Sequence, residues 1–83
     1  MAGGGQEILE ASKRGDTGEV ERLIREGEDV NKKDEHGGES PIHWAAVRGH
    51  TDTVKLLLDR GADPYITNKK GKTARDLDRT GLV

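Results

Sequence analysis

Ser40, His43 and the chain's several aspartates include the residue types of a hydrolase triad. With one of the aspartates as third member, Ser40 and His43 would compose the nucleophile, base and orienting acid of a hydrolase. That chemistry also needs an oxyanion hole inside a pocket, and nothing in the sequence supplies one. His36 lies among Asp34, Glu35 and Glu39, a mixed nitrogen and oxygen donor set at loop spacing, but no second histidine is near it. His43 and His50 are separated by Gly49, which ends any helix that would carry both on one face. There are no cysteines, so disulfides, thiolate zinc sites and a cysteine nucleophile are excluded. Twelve glycines occur, yet neither GxxxxGK[ST] nor GxGxxG appears, which removes the phosphate-cradling loops. No catalytic residue, metal or cofactor is expected.

Lys69, Lys70, Lys72, Arg75 and Arg79 form a basic cluster that Asp76 and Asp78 interrupt. Nucleic-acid binding asks for a broader basic face with stacking aromatics, and this chain has only Trp44 and Tyr65. The cluster reads as a solvated face, with an acidic protein partner as the next reading. Charge is distributed unevenly. Residues 1–40 hold 6 basic and 11 acidic groups, whereas residues 41–83 hold 8 and 5. An acidic first end and a basic last end make head-to-tail association, or a polarised partner, a reasonable expectation.

The elements that position these residues follow from a repeat. Setting Ile8–Asp34 against Ile42–Asn68 brings Ala11 onto Ala45, Arg14 onto Arg48 and Gly15 onto Gly49. The same shift places Val20, Leu23 and Ile24 on Val54, Leu57 and Leu58, and Gly27 on Gly61. A third, partial copy begins where GKTARD (Gly71–Asp76) matches GESPIH (Gly38–His43) at a shift one residue shorter. One residue is therefore extra between the first two copies, most simply within Gly37-Gly38. Each copy reads as two helices and an extended, hairpin-like loop. Ser40 caps a helix that Pro41 opens, because a proline at the first helical position has no donor to lose. Asp16 with Glu19 resembles a capping box ahead of the next apolar stripe. Gly15, Gly27, Gly49 and Gly61 are helix stops.

Only 16 of the 83 residues are Leu, Ile or Val, and there is no Phe, so the core is thin and a deep catalytic cleft is not expected. No apolar run approaches the length of a membrane span. MAGGG lacks the pattern of a signal peptide, and Ala2 stands where myristoylation needs glycine. The expected location is intracellular, cytoplasmic or nuclear.

SPIHWAAVRGH (Ser40–His50) and VKLLLDRGADP (Val54–Pro64) resemble the ankyrin-repeat signature, and the period of about 33 agrees with it. The likeness runs from Gln6 to about Thr80 and is nearest to small proteins built wholly of such repeats. It implies an all-α solenoid of stacked helix pairs with hairpin-like loops, about two and a half repeats long. The expected units are an N-terminal capping repeat at 6–37, an internal repeat at 38–70 and a truncated C-terminal repeat at 71–80. Residues 1–5 are expected as a disordered tail and 81–83 as a second tail. In this frame Ser40 caps a helix and His43 braces a loop. The third copy lacks its second helix, so either Leu77, Leu82 and Val83 fold back over the last pair, or another chain covers it, or the sequence is a fragment of a longer one.

The resemblance implies non-catalytic binding of a protein partner, of unstated identity, with neither nucleic acid nor membrane involved. Recognition in such stacks runs along the loop tips and the exposed side of the first helices. Carried over by position, the contact residues are Lys33, Glu35, His36 and Glu39 at the first tip. Trp44, Val47 and Arg48 come from the second copy's first helix, and Thr67, Lys69, Lys70 and Lys72 from the next tip. Trp44 occupies a position at which the family often carries a bulky residue facing the next repeat and the concave side. The extra residue at Gly37-Gly38 makes the first tip the preferred contact, so deleting Gly38 is expected to spare folding and weaken binding. LIREGEDVN (Leu23–Asn31) resembles the segment that asparaginyl hydroxylases modify, with Asn31 as target. The alternative function is an assembly element, a homo-oligomer formed through the incompletely capped C-terminal end.

Overall fold

The computed structural model describes residues 6–83, so the expected tail at 1–5 lies outside the described residues. Among the described residues five helices follow one another: α1 (Gln6–Arg14), α2 (Thr17–Arg25), α3 (Pro41–Val47), α4 (Thr51–Asp59) and α5 (Ala74–Leu77). α1 packs against α2, and α3 against α4, while α3 lies between α1 and α5, and α2 stacks on α4. The result is two helix pairs plus a single short helix, joined by extended loops, with no strand among the described residues.

Local chemistry explains where the helices begin and turn. Ser40 and Thr73 both sit in extended backbone ahead of their helices. At Thr73 the box closes fully: its amide donates to Asp76 Oδ2 (2.9 Å), and the Asp76 amide donates to Thr73 Oγ1 (3.2 Å). At Asp16 it closes by half. Oδ1 accepts the Glu19 amide (3.2 Å), but the Glu19 carboxylate turns to Arg22. That bond is the main reason the Glu19 pKa falls below its ordinary value.

Among the described residues, twelve hydrophobics form the buried core, and five of them (Ala11, Ala45, Ala46, Ala62, Ala74) are alanines. Small side chains let the helix axes approach closely, so a stack can form with few large aliphatics. Between copies, His50 Nε2 lies 2.8 Å from the Lys13 carbonyl, and Thr17 Oγ1 lies 2.7 Å from Thr53 Oγ1. Gly15 is required at the first of these joints. Its φ is +72°, and a Cβ there would come within 2.5 Å of His50 Nδ1.

The chain end partly folds back. Asp78 accepts the amides of Thr80, Gly81 and Val83 and the Thr80 hydroxyl, so residues 81–83, read as a tail, are held in place. The Arg79 amide donates to the Ala46 carbonyl (2.9 Å), and Val83 packs against the core. Leu77 is half-buried, whereas Leu82 stays 38% exposed. Among the described residues, α4 packs against α3 and α2 and no further helix pairs with it.

Candidate functional site

The loop after α2 returns through a closed turn. The Asp34 amide donates to the Glu39 carbonyl (2.9 Å), and Asp34 Oδ1 accepts the amides of His36, Gly37 and Gly38 (3.1, 2.8 and 3.0 Å). This is an Asx-type turn enlarged to hold one more residue than its counterpart. Burial works against the charged form of Asp34. The Gly37 amide, the Trp44 indole and the Gly38 and Glu39 amides outweigh it, and the pKa falls.

Trp44 joins this tip to the helices. Its Nε1 donates to Asp34 Oδ2 (3.3 Å), which fixes the half-buried ring. Lys13 Nζ lies 4.5 Å from the ring centroid and Arg48 Cζ 5.4 Å, both within cation–π range. The ring thus reaches back to α1 and the first tip, whereas the family resemblance implies a residue facing the next repeat and the concave side. Leu9, Glu10 and Lys13 of α1, Trp44 of α3, and Asp34, His36, Gly37 and Glu39 of the tip line a groove of about 460 Å³.

The second tip lies against the first. The Lys69 amide donates to the Gly37 carbonyl (2.9 Å), Lys69 Nζ donates to the Glu35 carbonyl (2.6 Å), and Asn68 Nδ2 donates to Glu39 Oε2 (3.1 Å). Gly38 is buried at this joint with φ +70°, and a Cβ would stand 3.2 Å from the Lys69 amide nitrogen. Deleting Gly38, expected from the sequence to spare folding, would remove a residue from this joint. The extra residue is used in packing one tip on the other.

Among the sequence-derived contact residues, His36, Glu39 and Trp44 share the groove, and Arg48 flanks its ring. Lys33, Glu35, Thr67, Lys69, Lys70 and Lys72 are exposed, while Val47 is half-buried. Leu9, Glu10 and Lys13 were missed. Under the repeat alignment Glu10 and Lys13 are the counterparts of Trp44 and Val47, so the shift that chose the second helix face also pointed to the first. Asn31 braces the loops: its Oδ1 accepts the Asp63 amide (2.8 Å).

The Ser40–His43 pair has catalytic spacing without catalytic surroundings. Ser40 Oγ lies 2.8 Å from His43 Nδ1, but both residues are fully buried. The Ser40 amide donates to Nδ1 (3.0 Å), and Nε2 lies 3.0 Å from the Lys72 carbonyl. An amide can only donate and a carbonyl only accept, so the ring proton sits on Nε2. His43 thus ties α3 to the second tip. Among the described residues no cluster of three or more His, Asp or Glu stands where it could hold a metal ion. No helix among them is long and apolar enough to cross a membrane.

A family model described as ankyrin repeats (3 copies) matches residues 8–77. The mouse ankyrin repeat domain-containing protein 40 is 40% identical over 67 residues, covering 81% of this chain and 18% of its own length. The human DNA-binding protein RFXANK is 37% identical over 75 residues, 89% of this chain and 28% of its own. The mouse 2-5A-dependent ribonuclease is 38% identical over 66 residues, 80% of this chain and 9% of its own. The chain therefore spans less than a third of the length of these relatives.

Proposed function

The chain belongs to the ankyrin-repeat family, and from that premise we propose that it binds a protein partner in the groove where Trp44, α1 and the first tip meet. Repeats of this family are protein-interaction modules, and the folded segment works without chemistry of its own. The observation that carries the reading is Trp44. Its indole is held in one orientation by Asp34 while its ring lines an open groove. A fixed, half-buried aromatic ringed by polar groups is the usual composition of a binding anchor. Because the two tips are hydrogen-bonded side by side, Lys33, Glu35 and His36 continue into Thr67, Lys69, Lys70 and Lys72 as one rim.

Affinity capture tests this with the intact chain, a Trp44→Ala variant and a variant altered at Lys33, Glu35, His36 and Glu39, each first shown to fold by circular dichroism. The partner held by the natural chain should be lost or weakened with both variants. An unchanged set of captured proteins would refute the groove. Asn31 stays a proposed hydroxylation site, and its loop must first open, since Oδ1 holds Asp63. A gain of one oxygen in intact mass after treatment with an asparaginyl hydroxylase is the expected result.

A second reading, assembly through the C-terminal end, draws on the exposure of Leu82. Melting that rises with protein concentration would favour it, because association stabilises only the folded state.

A further inference from the structure

Lys13 Nζ sits over the Trp44 ring and reaches Glu10 Oε2 at 3.2 Å, so a lysine of the chain itself occupies a cation seat in the groove. Its hold is weak. The Lys13 side chain is 30% exposed and that of Glu10 57%, and such a solvated pair is screened and easily exchanged. The rest of the groove is negative. Asp34 is satisfied by amides and an indole N–H, and Glu39 accepts an amide N–H from Asn68. Neutral donors stabilise a carboxylate without cancelling its charge. Lys13 is therefore the sole cation among the lining residues, against Glu10, Asp34 and Glu39.

We propose that the groove takes a cationic side chain of the partner, an arginine laid on the Trp44 indole in place of Lys13 and paired with Glu10 and Glu39; this deepens the groove reading above and rests on it. Arginine fits better than lysine because its planar guanidinium stacks on an aromatic face while its edge donates in a fork to carboxylates. When it enters, Lys13 swings out to solvent.

Trp44 is the only tryptophan, so its emission reports directly on the seat. The intact chain is titrated with a capped glycine-rich peptide carrying two arginines, and with its glutamate counterpart. The arginine peptide should give a saturable change that weakens with salt, and the glutamate peptide none. Lys13→Ala empties the seat and should tighten arginine-peptide binding about two- to fivefold. Glu10→Gln and Glu39→Gln should each weaken it severalfold. Tighter binding of the glutamate peptide, or weaker or unchanged arginine binding in Lys13→Ala, overturns the proposal. If partner capture still depends on Trp44 while the arginine peptide gives no response, the cation seat fails and the groove stands. If capture ignores Trp44 as well, both fail.

Discussion

The two loop tips are built to one plan by different residues. Asp34 and Asn68 occupy equivalent positions, and each closes its turn with its own amide and gathers tip amides on a side-chain oxygen. Asp34 spans to Glu39 and collects three amides, whereas Asn68 spans to Lys72, one residue fewer, and collects those of Lys70 and Lys72. An amide side chain can also donate, and Asn68 uses Nδ2 to hold Glu39 of the first tip. A carboxylate cannot donate, and Asp34 uses its second oxygen to hold Trp44. One residue extra and one atom changed thus separate a tip that orients the groove from a tip that locks onto its neighbour.

The firmest way to break this comparison is to cut the second tip from its helix. His43→Ala removes the link to the Lys72 carbonyl and leaves buried polar groups without partners, so a loss of about 2–4 kcal/mol is expected. Urea unfolding would measure it. A loss below 1 kcal/mol would mean that water replaces the imidazole.

Next in size is the glycine pair that makes the first tip longer. Gly38→Ala forces a Cβ into the left-handed region and against Lys69, for a cost of about 1–3 kcal/mol. Gly37 has no positive φ, and a Cβ there meets nothing nearer than the flexible Glu39 side chain at 3.4 Å. Gly37→Ala should therefore be close to neutral. Equal effects at the two positions would put the extra residue elsewhere.

Much of this architecture is legible in the residues. Ser40-Pro41 marks a helix start, Gly15 and Gly49 mark stops, and the register of the repeat locates the extra residue in the first tip. What the sequence could not give is which copy each exposed side chain leans toward. Trp44 turns back because Asp34 holds its indole N–H and Lys13 lies over its ring, contacts between residues far apart in the chain. The double use of Gly38 was hidden for the same reason: its neighbour Lys69 belongs to the other tip. The repeat shift itself carries a signal for Glu10 and Lys13, which it sets against Trp44 and Val47.

Titration separates the tips by charge. The folded-state pKa of Asp34 lies below its ordinary value, so its contribution is fully present above the unfolded-state pKa and is lost as pH falls through the folded value. Asn68 does not titrate. Asp34→Asn should cost about 1–2 kcal/mol at neutral pH and make the decline in melting temperature below about pH 4 shallower. Asp78, lowered by the Thr80 hydroxyl and by amides of the C-terminal turn against the opposing effect of burial, keeps part of that decline. An unchanged acid slope in Asp34→Asn would assign the whole effect to carboxylates outside the tip.

The smallest effect carries the comparison from the tips to the helices beneath them. Ser12 and Ala46 are counterparts in the two copies, and both are fully buried. Ser12 Oγ has no hydrogen-bond partner, so the first copy bears a desolvation cost that the second avoids. Ser12→Ala removes the orphan hydroxyl and loses no bond. A gain of about 1 kcal/mol is expected, read as a raised urea midpoint at unchanged slope. Ala46→Ser should cost about as much, since the second copy would then bury the same unpaired group. If Ser12→Ala is instead destabilising, the hydroxyl has a partner in solution, and the two first helices differ by design in how they hold the stack.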